Sequence, residues 1–193
     1  MYMVRSCSHR YRREKSVMFK TAAIVLTLFG TVAIASAQER GVLVKFEGGI
    51  GVQPVSNVAG PVNADGTFPN VRQNVVRGVS PAGPWRIDRL TAEVFTDGRI
   101  RVKGRGLLLA AGNSIGQNAN QSVFATLICE ATAPFVQHST TLTGVPLEPN
   151  GDFRIDDTLD NAPSECASPV LLIRASSNGT WFAAGIQKVA EDN

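Results

Sequence analysis

The sequence predicts an all-β protein: an antiparallel β-sandwich of about nine or ten short strands, with a closed β-barrel as the alternative. Three observations carry this reading. Asp97-Gly98, Asn150-Gly151 and Asn178-Gly179 each stand between two apolar runs, which is the signature of a hairpin turn. The runs either alternate with period two or are short and continuously apolar. After residue 37, no apolar pattern of period 3.6 lasts longer than a turn or two.

The chain opens with a segment of another kind. Ala22–Ile34 is an apolar run preceded by Arg5, Arg10, Arg12, Arg13, Lys15 and Lys20, and followed by Ala35-Ser36-Ala37. A basic region, a short apolar stretch and a small-x-small site predict a cleavable signal helix over residues 1–37. A membrane anchor would want about 20 apolar residues. Arg12-Arg13 lacks the apolar pair of a twin-arginine signal, and no cysteine follows Ala37, so ordinary export is expected rather than lipidation. The start is Met1 or Met18; from Met18, Lys20 supplies the charge. Residues 38–193 are then one exported domain, secreted or periplasmic, with no membrane span after cleavage.

Removing the signal reverses the charge. Six of the 19 basic residues and one of the 16 acidic residues lie in it, so residues 38–193 carry a net −2. The alkaline isoelectric point therefore gives no support to a nucleic-acid partner. Cys7 also lies in the signal, which leaves Cys129 and Cys166. A single pair in an exported chain predicts one disulfide.

Val42–Glu47 alternates and reads as a first strand; Gly48-Gly49 separates it from a second run at Ile50–Val55. A long loop at about 56–74 follows, broken by Gly60-Pro61, Asp65-Gly66 and Pro69. Val75–Val79 reads as a short strand, and Pro81–Pro84 breaks the chain before Trp85. Leu90–Leu107 is the clearest hairpin. A two-residue loop would put apolar and cationic side chains on one face. A three-residue loop, Thr96-Asp97-Gly98, pairs Val94 with Ile100, Ala92 with Val102 and Glu93 with Arg101. Only the second separates an apolar from a charged face, and it puts Gly98 where a left-handed residue is needed.

Leu107–Ala111 reads as a strand covered on both faces, and Gly112–Gln121 as a loop. Ser122–Ala131 reads as a buried central strand, with Val123, Ala125, Leu127 and Cys129 on one face and Phe124, Thr126 and Ile128 on the other. Val145–Ile155 reads as a hairpin turning at Pro149-Asn150-Gly151, pairing Leu147 with Phe153 and Val145 with Ile155. Val170–Ile186 turns at Ser177-Asn178-Gly179 with its register open.

Candidate chemistry is sparse, and no cofactor or metal is assigned. His138 is the one histidine after the signal; in its polar run it reads as a surface residue, and no nucleophile motif accompanies it. Asp152, Asp156, Asp157, Asp160 and Glu165 form an acidic cluster whose spacing matches no EF-hand loop. As glycosidase carboxylates, two of them would have to face each other across a groove. Trp85, Trp181 and Phe182 read as packing, with a carbohydrate platform as the alternative. Arg99, Arg101, Lys103 and Arg105 alternate along one strand and form a cationic stripe, to which Arg86 or Arg89 adds charge. Such a stripe suits a polyanion such as an acidic envelope glycan; it also serves simply to keep a sheet soluble.

The segments GRIRVKGRGLLLA, SVFATLICEA, GVPLEPNGDFRIDD and CASPVLLIRASSNGTWFAAGI are similar to a loose group of secreted bacterial β-sheet proteins with no assigned function. The resemblance implies export, sheet and the Cys129–Cys166 pair, and no activity. The sequence thus predicts a non-enzymatic exported protein that binds a ligand or serves as an envelope or extracellular structural component. The alternatives are polyanion or glycan binding through the basic strand, a hydrolase using the acidic residues, and pairing with another protein through an exposed sheet edge.

Overall fold

The computed structural model describes residues 41–53, 57–58, 63–66, 71–72 and 74–189. The expected signal peptide at 1–37 lies outside these residues, as does part of the loop at 56–74. The described strands, in chain order, are β1 (Val42–Gly51), β2 (Asn57–Val58), β3 (Val71–Arg72), β4 (Trp85–Arg86), β5 (Arg89–Phe95), β6 (Arg99–Arg105) and β7 (Leu108–Leu109). They continue with β8 (Ser122–Ile128), β9 (His138–Ser139), β10 (Val145–Pro146), β11 (Phe153–Thr158), β12 (Val170–Ala175) and β13 (Trp181–Gln187).

The β5–β6 hairpin has the register that separates its faces: Val94 pairs with Ile100, Ala92 with Val102 and Glu93 with Arg101. Gly98 takes φ 83°, and its N–H donates to the Phe95 carbonyl at 2.9 Å. Only a residue free of Cβ strain adopts that φ easily, so the glycine fixes the loop and the loop fixes the register.

All the strand pairs are antiparallel, and nine strands form one sheet in the order β10-β8-β12-β13-β1-β5-β6-β11, with β9 beside β8. The sheet curls until it is nearly closed, like a barrel. Its terminal strands, β10 and β11, are joined by the turn at Pro149-Asn150-Gly151, where Glu148 N–H donates to Asp152 O at 2.9 Å. Farther along the seam, Thr141 N–H donates to Asp157 Oδ2 at 2.9 Å and Asp160 N–H to Ser139 O at 2.8 Å. The layers of the predicted sandwich are thus opposite walls of one continuous sheet. Leu90, Ile100, Val102, Leu127, Leu171 and Ile173 fill the space between them with no exposure. Trp85 stacks on Phe182 within the core, their ring centroids 4.0 Å apart. Smaller pairs, β2–β3 and β4–β7, lie outside the main sheet.

Several elements differ from the sequence reading. The two runs at 42–55 are one strand through Gly51, bulged between Phe46 and Gly49, with Gly48 at φ 99° absorbing the extra residue. Val75–Val79 is a tight turn: Val76 and Val79 exchange both backbone hydrogen bonds around Arg77 (φ 45°) and Gly78 (φ 82°). The Arg77 guanidinium anchors that turn to Ile128 O at 3.0 Å and to Ser168. Leu107–Ala111 is reduced to the two residues of β7, because Gly106 (φ 65°) bends the chain before them. The Val145–Ile155 turn forms as read, but its arms part. Val145 pairs with Val123 on β8, and Ile155 pairs with Val102 on β6.

Cys129, just beyond β8, is bonded to Cys166, which lies before β12; their Cα atoms are 4.5 Å apart. This ties the two strands at the same end at which they pair, through Val170 and Ile128.

Candidate functional site

Alternation turns one set of side chains on β1, β5, β6 and β11 into the core and the other set into water. Lys45, Glu47, Arg89, Arg101, Lys103, Arg105, Arg154 and Asp156 are exposed, and Thr91 and Glu93 are half-buried between them. Cross-strand register then sorts these side chains into rows.

One row runs Asp156–Arg101–Glu93–Lys45 across four strands, so that every neighbour has the opposite sign. Lys45 Nζ lies 3.1 Å from Glu93 Oε1. Asp156 takes Arg101 Nε at 3.6 Å and Arg99 Nη2 at 3.4 Å. Opposite charges in facing positions are worth about 0.2–1 kcal/mol each.

The next row breaks the rule. Arg154 faces Lys103, and one step further along β6 Arg105 faces Arg89. Both are like-charge pairs in directly opposed positions, which sheets disfavour. Two unit charges about 6 Å apart repel by about 0.7 kcal/mol in bulk water before salt screens them. Among the described residues, Lys103, Arg105 and Arg154 make no ion pair. Glu47 lies across Thr91 from Lys103, but its carboxylate is taken by Lys188 Nζ at 2.6 Å. That hydrogen bond and the Lys188 charge, with a smaller contribution from Arg89, lower the pKa of Glu47 below the ordinary carboxylate value.

Two hollows overlie these rows. One, of about 440 Å³, is lined by Lys45, Glu47, Glu93, Arg101, Lys103 and Arg154 among others. The second, of about 340 Å³, is lined by Glu47, Arg89, Thr91, Lys103 and Arg105. Glu47, Thr91 and Lys103 line both, so the hollows lie side by side on the face.

The stripe read from the sequence therefore divides. Arg99 and Arg101 share the Asp156 carboxylate, while Lys103 and Arg105, which have no acidic partner among the described residues, join Arg89 and Arg154 in a quartet. Arg86 is paired with Asp88 at 2.5 Å. Arg154 was missed, although alternation in GDFRIDD marks it as outward-facing. Its neighbour is Lys103 only because β11 leaves β10 to pair with β6.

The acidic cluster does not gather. Asp152 Oδ1 accepts from Gly106 N–H at 3.1 Å, and Asp160 Oδ1 accepts from Ser139 N–H. Asp157 accepts from Thr141 N–H at 2.9 Å and from Thr158 N–H at 2.7 Å. Burial works against its charged form, but these donors outweigh burial and lower its pKa. Glu165 is exposed in the loop before Cys166. Among the described residues, no group of three His, Cys, Asp or Glu side chains is placed to hold a metal, and no helix is long and apolar enough to cross a membrane. His138, read as a surface residue, is buried, because β9 pairs it with Leu127 along the edge of β8; its Nδ1 has no hydrogen-bond partner. Trp85, Trp181 and Phe182 are all buried and form no platform.

On the opposite wall, Phe124 and Thr126 of β8 are buried although they turn away from the core residues Val123, Ala125 and Leu127. Arg174 of β12 covers Phe124, its guanidinium 5.1 Å from the ring centroid. It donates to Gly179 O and Gln137 Oε1, each at 2.7 Å, and to Thr126 Oγ1 at 3.3 Å. Burial lowers the pKa of this guanidinium.

Compared with protein-family models, curated proteins and solved structures, the chain matches none.

Proposed function

We propose that this is an exported bacterial protein that acts by binding rather than by catalysis, and that its basic sheet face holds an acidic envelope glycan or similar polyanion. One observation carries the reading: two like-charge cross-strand pairs, Arg154–Lys103 and Arg105–Arg89, stand beside a row that is fully complementary. Solubility alone needs no such arrangement, since alternating signs serve it as well. Where a sequence violates a local rule that it obeys one step away, the violation points to function. The setting strengthens this, because residues 38–193 carry a net −2, so a cationic quartet among them is a local device rather than a bulk property.

Export is supported by the basic–apolar–small pattern of residues 1–37 and by a disulfide of the kind that persists in oxidising compartments. Binding is favoured over hydrolysis because Asp152, Asp157 and Asp160 each accept from a backbone amide and Asp156 is held by two arginines.

The test compares two double variants of equal charge change on an immobilised polyanion. Lys103→Gln with Arg154→Gln should elute at clearly lower salt. Arg99→Gln with Arg101→Gln, which removes the two cations that share Asp156, should elute closer to the parent than the first variant does. Equal shifts, or retention indifferent to salt, would overturn the proposal.

A further inference from the structure

We infer that Arg89, Lys103 and Arg105, with the Thr91 hydroxyl between them, form a site for a phosphomonoester, the end group through which the polyanion is gripped. This rests on the basic-face reading above and assigns the chemistry of the group recognised. The three cations line one hollow of about 340 Å³, near the lower bound for a small-molecule site and enough for a phosphorylated sugar unit.

The number and arrangement of the donors select the anion. A carboxylate brings one negative charge and two oxygens in a plane. A phosphomonoester brings about −1.5 to −2 and three acceptor oxygens, so it can meet three cationic donors at once. Register sets the donors on both sides of the hollow. Arg89 comes from β5 and Arg105 faces it from β6; Lys103, also on β6, faces Thr91 of β5. Thr91 is half-buried, and its hydroxyl can donate to a fourth contact or accept.

The unpaired cations give the site a direction. Glu47 lines the hollow on the β1 side, where its carboxylate is paired with Lys188. An anionic chain running toward β1 meets only charges that are already paired, Lys188 with Glu47 and Lys45 with Glu93. One running toward β11 passes over Lys103 to Arg154, through the larger hollow. The ligand is thus held by a terminal phosphate, with its further anionic groups leaving toward Arg154.

The test titrates the folded protein at fixed ionic strength with inorganic phosphate, glucose 1-phosphate, dimethyl phosphate and acetate, following backbone amide resonances. Phosphate and glucose 1-phosphate should move the amides of Arg89, Thr91, Lys103 and Arg105. Tighter binding of glucose 1-phosphate would place a sugar-linked headgroup in the site; tighter binding of free phosphate would place the ion there. Dimethyl phosphate and acetate, each a single negative charge, should bind at least about tenfold more weakly. Arg89→Gln and Arg105→Gln should each weaken glucose 1-phosphate about tenfold, while Arg101→Gln leaves it unchanged. Equal binding of acetate and phosphate, or equal losses at Arg101 and Arg89, would overturn the inference. If polyanion retention still depends on Lys103 and Arg154 while phosphate fails to bind, only the phosphomonoester assignment falls. If retention is indifferent as well, the basic-face reading falls with it.

Discussion

The two walls of the curled sheet treat a cation in opposite ways. On β5, β6 and β11, arginines and lysines stand in water and are sorted by strand register into one balanced row and one strained one. On β8 and β12, Arg174 lies over Phe124 and is held by neutral oxygens from Thr126, Gln137 and Gly179. The first wall keeps several hydrated cations available. The second uses one, partly desolvated, as a cover for an apolar ring. The same antiparallel ladder underlies both, so the difference comes from what lies over it. Water covers one wall, and Gln137, β9 and the β12–β13 turn pack against the other.

Breaking the Cys129–Cys166 bond should separate the walls most sharply, and it is the largest effect expected. By the chain-entropy estimate, closing a loop of 37 residues is worth roughly 3–4 kcal/mol. The loss should appear as a lower denaturant midpoint for Cys129→Ala with Cys166→Ala. Amide exchange should accelerate first at Ile128 and Val170, which pair beside the bond. Uniform acceleration across both walls would mean that the bond stabilises the whole barrel without a local role.

The corresponding weak point of the first wall is Gly104. It faces inward opposite Phe153, and a Cβ built on it would come within 2.0 Å of the Phe153 ring. Gly104→Ala should therefore displace the ring and cost about 2 kcal/mol by overpacking. Denaturant titration gives the magnitude, and Phe153→Leu, which opens space, should recover part of the loss in the double variant. Simple additivity of the two substitutions would contradict this packing.

The walls also differ in how far they can be read from sequence, and for the same physical reason. On the first, water on one side imposes strict alternation, so LTAEVFTDGRIRVK gives β5, β6, the loop and the register together. On the second, both faces of β8 are covered and alternation disappears; the buried strand and the residues that share each of its faces are legible, but its partner strands are not. Burial of His138 was invisible because its partner, Leu127, is set by tertiary pairing rather than by neighbours in the chain. The candidate site was half legible. Lys103 and Arg105 follow from alternation, but their isolation from acidic partners depends on Asp156 pairing with Arg99 and Arg101. That in turn depends on β11 leaving β10 for β6, a choice that the local sequence around Pro149–Gly151 does not encode.

The seam where the walls meet should respond to acid. Asp157 holds Thr141 N–H and Thr158 N–H, and its pKa is lowered in the folded state. A depressed carboxylate contributes stability above its unfolded pKa, about 3.9, and loses that contribution as pH falls through the folded value. The seam should therefore loosen at pH below about 4, seen as faster exchange of the Thr141 amide. Asp157→Asn should cost about 1 kcal/mol at neutral pH, discounted for partial solvent exposure, and should flatten the acid limb. An unchanged acid limb in that variant would place the pH dependence elsewhere, with Glu47 or Glu130, whose pKa values are also lowered, as the next groups to test.

The smallest effect expected bears most directly on the first wall. If Lys103 faces Arg154 at a cost kept for binding, then reversing one charge should relieve that cost. Lys103→Glu places a carboxylate opposite Arg154 and two residues along the strand from both Arg101 and Arg105. The variant should be more stable than the parent by about 0.5 kcal/mol, with the gain shrinking as salt rises. Its retention on a polyanion should fall further than that of Lys103→Gln, since the new charge repels the ligand. Stability and binding would then move in opposite directions at one position, as they do where a strained arrangement is kept for function. A loss of stability in Lys103→Glu would mean that the like-charge pairs cost nothing in this sheet, and the inference from their strain would lose its footing.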